Sequence, residues 1–379
     1  SDVYKRQALH SFVAAKDVAL FPAWETLPHE RLSPRSDTVG QRLTVLRNLA
    51  QETAPRVVVA PVRAVLQPMV AGLENMEPVH LKVREDRDFD EVVKALSNAA
   101  YSRVDLVSKR GEFAVRGGIL DVFSPVADHP VRVEFFGDEI ENMRWFSIAD
   151  QRTVGNAVPP QEITAPPCRE LLITPQVMSK AAKLKGEYPG AAAMLEKIAG
   201  GIYTEGMESL TPLLVEHMIT LLDVLPQGSL PIILEPEKVR ARAADLVATN
   251  EEFLLAAWES AADNSKAPID LGQNTSGFAA GSFRTVAQTR EQALHAGFGW
   301  WGITALGVDD AVENDVDSLT FNARVPHAYA GNVSELLEEV GKKVRDGWNM
   351  IAVTDGPGPL TRLISVFQDC LLYTSPSPR

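Results

Sequence analysis

Apolar positions in the N-terminal part of the chain alternate between helical spacing and short continuous runs. Residues 37–50 carry four apolar side chains near helical spacing, and Ser36 or Asp37 is a natural N-cap for that helix. Residues 56–60 form an apolar run ended by Pro61, which is typical of a strand buried on both faces. The pattern predicts an α/β arrangement.

Between residues 112 and 146 the apolar pattern changes to strict alternation. Tight glycine-containing turns join four predicted strands in two pairs, namely 112–116 with 119–123 and 131–136 with 140–146. Ahead of them, Asp88 and Glu91 have the spacing of a capping box, which predicts a helix starting at Phe89. We therefore expect an antiparallel sheet accompanied by one helix.

Helices and strands alternate again after the proline-rich stretch 159–167. Residues 308–318 carry five acidic and no basic side chains, which indicates a solvated loop or linker. Two strand-to-helix units are predicted in this part, residues 230–235 with 237–258 (Pro236 starting the helix) and residues 349–355 with 356–367.

The composition argues against several classes of protein function. The 379 residues fit two to three domains, and the formal net charge of −13 argues against a surface that binds phosphate backbones throughout, although a local basic face remains possible. The two cysteines, Cys168 and Cys370, give no disulfide framework or cysteine metal cluster and favour a reducing compartment. No apolar run approaches about 18 residues, so no membrane span is predicted.

The sequences at the two ends of the chain do not fit the pattern of the rest. Residues 1–7 lack the apolar region of a signal peptide, and residues 370–379 follow an amphipathic pattern abruptly. Both resemble translated adapter sequence. We treat them as non-native ends and expect the chain to be an internal fragment of a longer protein.

Three strings resemble nucleotide-binding motifs, and each has a simpler interpretation. Residues 297–302 match G-x-G-x-x-G but follow a helical segment, so a turn with Trp300 and Trp301 packed on a domain face is favoured. Residues 355–359 lack the Lys-Ser/Thr of a phosphate loop, and residues 135–139 place their acids in a hairpin turn. With no P-loop and no metal-binding histidine spacing, no catalytic site is predicted.

One sheet face has the composition of a protein-binding surface. Strand alternation in residues 131–136 puts Val131, Val133 and Phe135 on one face and Arg132, Glu134 and Phe136 on the other. In the neighbouring strand Arg116 points away from the apolar side. A face with Arg116, Arg132 and Phe136 resembles an interface hot spot, while packing of Phe136 beneath a loop fits the spacing equally well.

Several strings resemble the transcription-repair coupling factors (Mfd), whose second domain is shared with the excision-repair protein UvrB. The resemblance covers roughly residues 8–370 and is carried by residues 20–28, 36–38, 103–107, 111–125, 132–141, 146–152, 206–214 and 225–240. It implies an α/β fold in which a split RecA- or helicase-lobe-like domain is interrupted by an inserted antiparallel β-rich module and followed by the start of a further α/β domain. The implied bounds are 8–81 and 156–320 for the split domain, 82–155 for the module, and 321–369 for the start of domain 3.

The resemblance also implies a function in transcription-coupled nucleotide excision repair. The family's UvrA-contacting Arg, Arg and Phe match Arg116, Arg132 and Phe136. Parts C-terminal to this fragment would bind stalled RNA polymerase and translocate on double-stranded DNA with ATP and Mg²⁺. The fragment itself is then expected to be a cytoplasmic, non-enzymatic UvrA-binding part with no cofactor and no membrane contact.

Three other interpretations are weaker. A UvrB-type subunit that loads on damaged DNA would need a Tyr-rich hairpin, but residues 21–36 are short and Trp24 is the only large aromatic after Phe21. A degenerate nucleotide-binding or helicase enzyme would need a phosphate site that the sequence lacks. A DNA-binding module is disfavoured by the acidic balance.

Overall fold

A computed structural model describes most of the chain, as two compact units, Ser1–Gly307 and Val308–Arg379. The predicted non-native ends, 1–7 and 370–379, lie outside the described residues, as do nearly all of the acidic stretch 308–318 and the start of the loop 355–359. The described residues are 8–10, 12–28, 30–51, 54–154, 158–259, 280–305, 318–321, 332–352 and 357–369.

The first unit mixes helices with short strands, and the second unit has helices in its described part. The α-helices are α1 Ser36–Leu49, α2 Val62–Leu66, α3 Phe89–Asn98, α4 Pro175–Leu184, α5 Ala192–Ala199, α6 Thr211–Leu214, α7 Leu221–Val224, α8 Pro236–Glu259, α9 Val286–His295, α10 Val333–Arg345 and α11 Pro357–Asp369. Short 3₁₀ helices span Ala15–Asp17, Leu73–Asn75, Pro189–Ala191 and Met207–Leu210. The strands are β1 Val18–Leu20, β2 Val57–Val59, β3 Met69–Val70, β4 Val79–Lys82, β5 Ser102–Arg103, β6 Glu112–Arg116, β7 Ile119–Val122, β8 Val131–Phe136, β9 Glu139–Trp145, β10 Glu162–Ala165, β11 Met218–Ile219, β12 Ile232–Leu234 and β13 Trp301–Ile303.

The largest sheet holds five strands in the order β5-β6-β7-β8-β9. Strand β5 pairs with β6 in parallel, and the other neighbours pair antiparallel, as the alternating pattern predicts. One face of this sheet is apolar and packs against α3, through buried side chains that include Phe113, Leu120, Val133, Met143 and Leu96. The predicted pair of hairpins is therefore confirmed.

Helix α3 is positioned by its N-terminus and its apolar face. Asp88 is its N-cap, and its Oδ1 accepts a hydrogen bond from the Glu91 backbone N–H at 2.8 Å. Val92 and Leu96 are fully buried against the five-stranded sheet. The capping signal in the sequence thus marks the start of the helix that covers the core of this sheet.

The ends of the segment that contains this sheet are held together. Strands β4 and β10 pair antiparallel, so the chain enters and leaves the segment side by side. The backbone N–H of Cys168 donates to Ala99 O at 2.9 Å, and the Tyr101 hydroxyl donates to Pro166 O at 3.0 Å. Cys168 is buried, and its burial raises the pKa of the thiol, so this cysteine has a structural role.

The chain segments on either side of this sheet pack against each other. Strand β3 pairs with β11 from the later segment. The side chains of Arg42 and Glu170, both almost fully buried, form a salt bridge at 2.5 Å. An insertion between two halves of one domain requires such packing, and it is present. The predicted domain bounds remain predictions.

Several local expectations are wrong in detail. Helix α1 begins at Ser36 with Arg35 as N-cap, and the Ser36 hydroxyl instead donates to Arg110 O at 2.9 Å. The residues of β2 are half-buried rather than buried on both faces. Within the described residues 349–352 no strand forms. Trp300 packs beside Phe298 as expected, but Trp301 is 60% exposed.

Two classes of feature are missing from the described part of the chain. No helix there has the length and apolarity to cross a membrane. No group of three or more His, Cys, Asp or Glu side chains there could hold a metal ion.

Helix α1 packs through Gly40 against Pro125 and Val126, which lie in the segment that contains the five-stranded sheet. A Cβ at Gly40 would lie 2.5 Å from Pro125 Cβ and 3.3 Å from Val126 Cγ1. Glycine to alanine in an open helix interior stabilises by about 1 kcal/mol, whereas overpacking costs about 1–3 kcal/mol. We expect Gly40→Ala to lower the free energy of unfolding, measured by urea denaturation, while Gly186→Ala, which meets nothing within 4 Å, leaves it unchanged. A more stable Gly40→Ala variant would contradict this packing.

Candidate protein-binding face

The face of the five-stranded sheet opposite α3 carries the residues that the sequence singles out. We call it the outer face. Its side chains on strands β6 to β9 include Ala114, Arg116, Ile119, Asp121, Arg132, Glu134, Phe136, Glu139, Asn142 and Arg144. Beyond one end of the strands, Phe123 and Phe146 form a small buried cluster with Ala114 and Val107. The opposite end, at Arg116 and Phe136, is open to solvent.

The two adjacent phenylalanines point to opposite faces, as strand alternation predicts. Phe135 packs on the apolar core and meets the ring of Phe89 edge-on, with 5.0 Å between the ring centroids. Phe136 is 78% exposed at the end of β8, where Gly137 adopts a φ of +60° in the turn to β9. An exposed aromatic ring on the same sheet face as exposed Arg116 is a candidate anchor for a protein partner.

Arg116 ends β6 and is exposed. Its Nη2 donates to Asp105 O at 2.5 Å. Among the described side chains, no carboxylate forms an ion pair with Arg116. Its charge is therefore available to an acidic group of a partner.

Arg132 differs from the expectation of one exposed cluster. Its Nε and Nη2 donate to the two carboxylate oxygens of Asp121 at 2.6 and 2.7 Å, and its guanidinium lies 5.0 Å from the Phe146 ring centroid. The Asp121 side chain is 3% exposed and the Arg132 side chain 21%. These hydrogen bonds raise the pKa of Arg132, so it is a cation held rigidly at the edge of the buried cluster. The prediction that all three residues are exposed is wrong for Arg132.

The three predicted residues are spread over the outer face. The register pairs Arg116 with Ile119, and Ile119 with Glu134, so Arg116 lies two strands from the middle of β8. Arg132 and Phe136 are four residues apart on β8, or roughly 13 Å at the usual rise of a strand. A partner must therefore cover several strands to contact all three.

A second ion pair on the outer face was not predicted. Arg144 on β9 forms a salt bridge with Glu134 on β8. The register of β8 against β9 shifts between Glu134 and Phe135, because Glu141 is an extra residue in β9. A bulge of this kind changes which side chains share a face. The sequence gives no signal that would locate it, so Arg144 could not be assigned to this face from alternation alone.

Comparison with known proteins finds matches to this segment and to most of the chain. Residues 79–165, which include all of the five-stranded sheet, match the family described as UvrB interaction domain. The chain is 42% identical over 365 residues to the transcription-repair-coupling factor of Mycobacterium bovis, covering 92% of this chain and 29% of the relative. It is 32% identical over 308 residues to that of Myxococcus xanthus, covering 75% and 25%.

A shorter match is 35% identical over 133 residues to the transcription-repair-coupling factor of Escherichia coli, covering 35% of this chain and 11% of that protein. The chain thus spans less than a third of the length of each of these three relatives. The resemblance seen in the sequence is confirmed by these matches, and the chain is homologous to a segment of the transcription-repair-coupling factors.

Proposed function

We propose that this chain is the UvrA-recruiting part of a transcription-repair coupling factor and that the outer face binds UvrA. The observation that carries the proposal is the 78% exposure of Phe136 within the segment that matches a UvrB interaction domain. Arg116 lies on the same face with no carboxylate partner among the described side chains. Aromatic residues and arginine are the residue types that are enriched at protein interfaces and at their hot spots.

The three residues would contribute differently. Phe136 would insert its ring into an apolar recess of UvrA and lose its contact with water there. Arg116 would pair with an acidic group at the rim of the interface. Asp121 accepts from two of the five N–H groups of Arg132, one on Nε and one on Nη2, so the other N–H groups would be held in place for a partner. A donor held in place before binding loses little conformational entropy on complex formation.

The other functions that we propose for the parent protein belong to parts of its sequence outside this chain. We propose that the parent protein binds stalled RNA polymerase and translocates on double-stranded DNA with ATP and Mg²⁺, in the cytoplasm. The name of the relatives supports a role in coupling transcription to repair. Two parallel strand pairs, β1 with β2 and β12 with β13, support a helicase-lobe-like arrangement for the split domain.

The UvrB-type alternative has less support. The family match over residues 79–165 names the UvrB interaction domain and fits both interpretations. The match over 92% of the chain, however, is to a transcription-repair-coupling factor. We therefore retain the coupling-factor function as the proposal.

Arg116 provides a test of the charged rim of the outer face. We expect Arg116→Ala to weaken binding of UvrA about fivefold in calorimetry at low salt, because an exposed ion pair contributes about 1 kcal/mol or less. The difference from wild type should shrink as salt increases, since screening weakens exposed pairs. Lys183→Ala, an exposed cation on α4, is the matched control and should bind normally. Equal affinities of all three proteins at low salt would contradict a role for Arg116.

ATP hydrolysis provides a test of the non-enzymatic role of the chain. Because the sequence lacks a P-loop, we expect the purified chain to release no phosphate from ATP, with or without DNA. Phosphate release is measured before and after an additional purification step, which removes contaminating ATPases. DNA-stimulated hydrolysis that stays constant per mole of chain through that step would contradict a purely protein-binding role.

A further inference from the structure

Two guanidinium groups lie directly opposite each other on the outer face. The register of β8 and β9 pairs Arg132 with Arg144. Like charges in directly opposed positions destabilise a sheet. Here each arginine has its own carboxylate, Asp121 for Arg132 and Glu134 for Arg144. The chain thus keeps two cations side by side on a face that already carries exposed Phe136.

The two ion pairs differ in their contact with water. Asp121 is almost fully buried and fixes Arg132, whereas Arg144 and Glu134 are 38% and 25% exposed. The Arg144–Glu134 pair is only half-buried, so solvent screens it more than the Arg132–Asp121 pair and Arg144 can exchange its partner at a lower cost.

We propose that Arg144 is a further partner-binding residue of the outer face, and that with Arg132 it binds one carboxylate of an acidic side chain on the protein partner. The proposal rests on the proposed function, in which the outer face binds UvrA. A carboxylate between two guanidinium groups accepts charge-assisted hydrogen bonds from both and reduces their mutual repulsion. The ligand is therefore an Asp or Glu side chain of the partner.

The test distinguishes a direct contact between Arg144 and UvrA from a role in which Arg144 only neutralises the charge of Glu134. Calorimetry with purified UvrA compares the full 379-residue chain with Arg144→Ala, Glu134→Gln and the double variant. We expect Arg144→Ala to weaken binding about three- to tenfold. Glu134→Gln should bind UvrA at least as tightly as wild type. The double variant should bind about three- to tenfold more weakly than Glu134→Gln alone. Thermal melting checks folding, and Arg144→Gln replaces any alanine variant that melts early.

Three results would overturn the proposal. If the double variant binds as tightly as Glu134→Gln alone, Arg144 only neutralises Glu134 and contacts no partner group. If Phe136→Ala weakens binding while Arg144→Ala has no effect, the outer face binds UvrA without Arg144, and this inference alone fails. If Phe136→Ala and Arg144→Ala both bind like wild type, the proposed function fails and this inference fails with it.

Discussion

Phe136→Ala is expected to weaken UvrA binding at least about tenfold and to leave the melting temperature unchanged. The ring is 78% exposed, so its removal opens no cavity in the free protein. Burying a phenylalanine ring at an interface contributes about 1.5–3 kcal/mol, and about 1.4 kcal/mol corresponds to a factor of ten in affinity. The measurement is calorimetric titration of UvrA combined with thermal melting.

The neighbouring phenylalanine is the matched control because it is chemically identical and faces the other way. Phe135 packs against Phe89 and the apolar core. Phe135→Ala should therefore lower the free energy of unfolding by about 3 kcal/mol and leave the affinity of the folded fraction near that of wild type. If Phe136→Ala melts early and binds normally once folded, the outer face is not the binding surface.

Much of the five-stranded sheet could be predicted because its pattern has a local cause. Alternation of apolar and polar side chains puts Phe135 on the core face and Phe136 on the outer face, and Gly117 and Gly137, which supply the positive φ, mark the turns. The start of α3 was also predictable, since Asp88 caps it through a contact three residues away. These signals depend on neighbours in sequence, and a single sequence contains them.

The chemistry of the outer face depends on contacts that the sequence does not display. Arg132 was expected to be exposed because strand alternation predicts the face on which a side chain lies but not how deeply it is buried. Its two hydrogen bonds go to Asp121, which lies on a different strand. The bulge at Glu141 shifted the register and hid the pairing of Arg144 with Arg132. Long-range pairing of this kind follows from the assembled sheet, so it could be found only in the structure.

The same limit applies to the contact that joins the two segments on either side of the sheet. Arg42 on α1 and Glu170 are 128 residues apart, and no motif connects them. In the structure Arg42 Nε donates to Glu170 Oε1, and its guanidinium lies 4.2 Å from the Phe21 ring centroid. Trp24 Nε1 donates to the same carboxylate at 3.0 Å. A buried arginine in an otherwise apolar core is thus explained by a partner from the later segment.

Arg42→Ala is expected to lower the free energy of unfolding by about 3–5 kcal/mol, because it leaves the carboxylate of Glu170 buried without its cation. Both side chains are at most 1% exposed, so water cannot replace the lost partner. Urea denaturation followed by tryptophan fluorescence measures the change. The double variant Arg42→Met with Glu170→Leu should regain part of the loss, since an apolar pair leaves no buried charge.

The exposed pair of Lys185 and Glu196 provides the control for this prediction. Their side chains are 47% and 67% exposed at an N–O distance of 3.0 Å, so Lys185→Ala should cost less than about 1 kcal/mol. The contrast isolates burial, since both pairs have the same kind of charges. If Arg42→Ala were as stable as Lys185→Ala, the two segments would be held together by the apolar core and the β3–β11 pairing without a contribution from the buried ion pair.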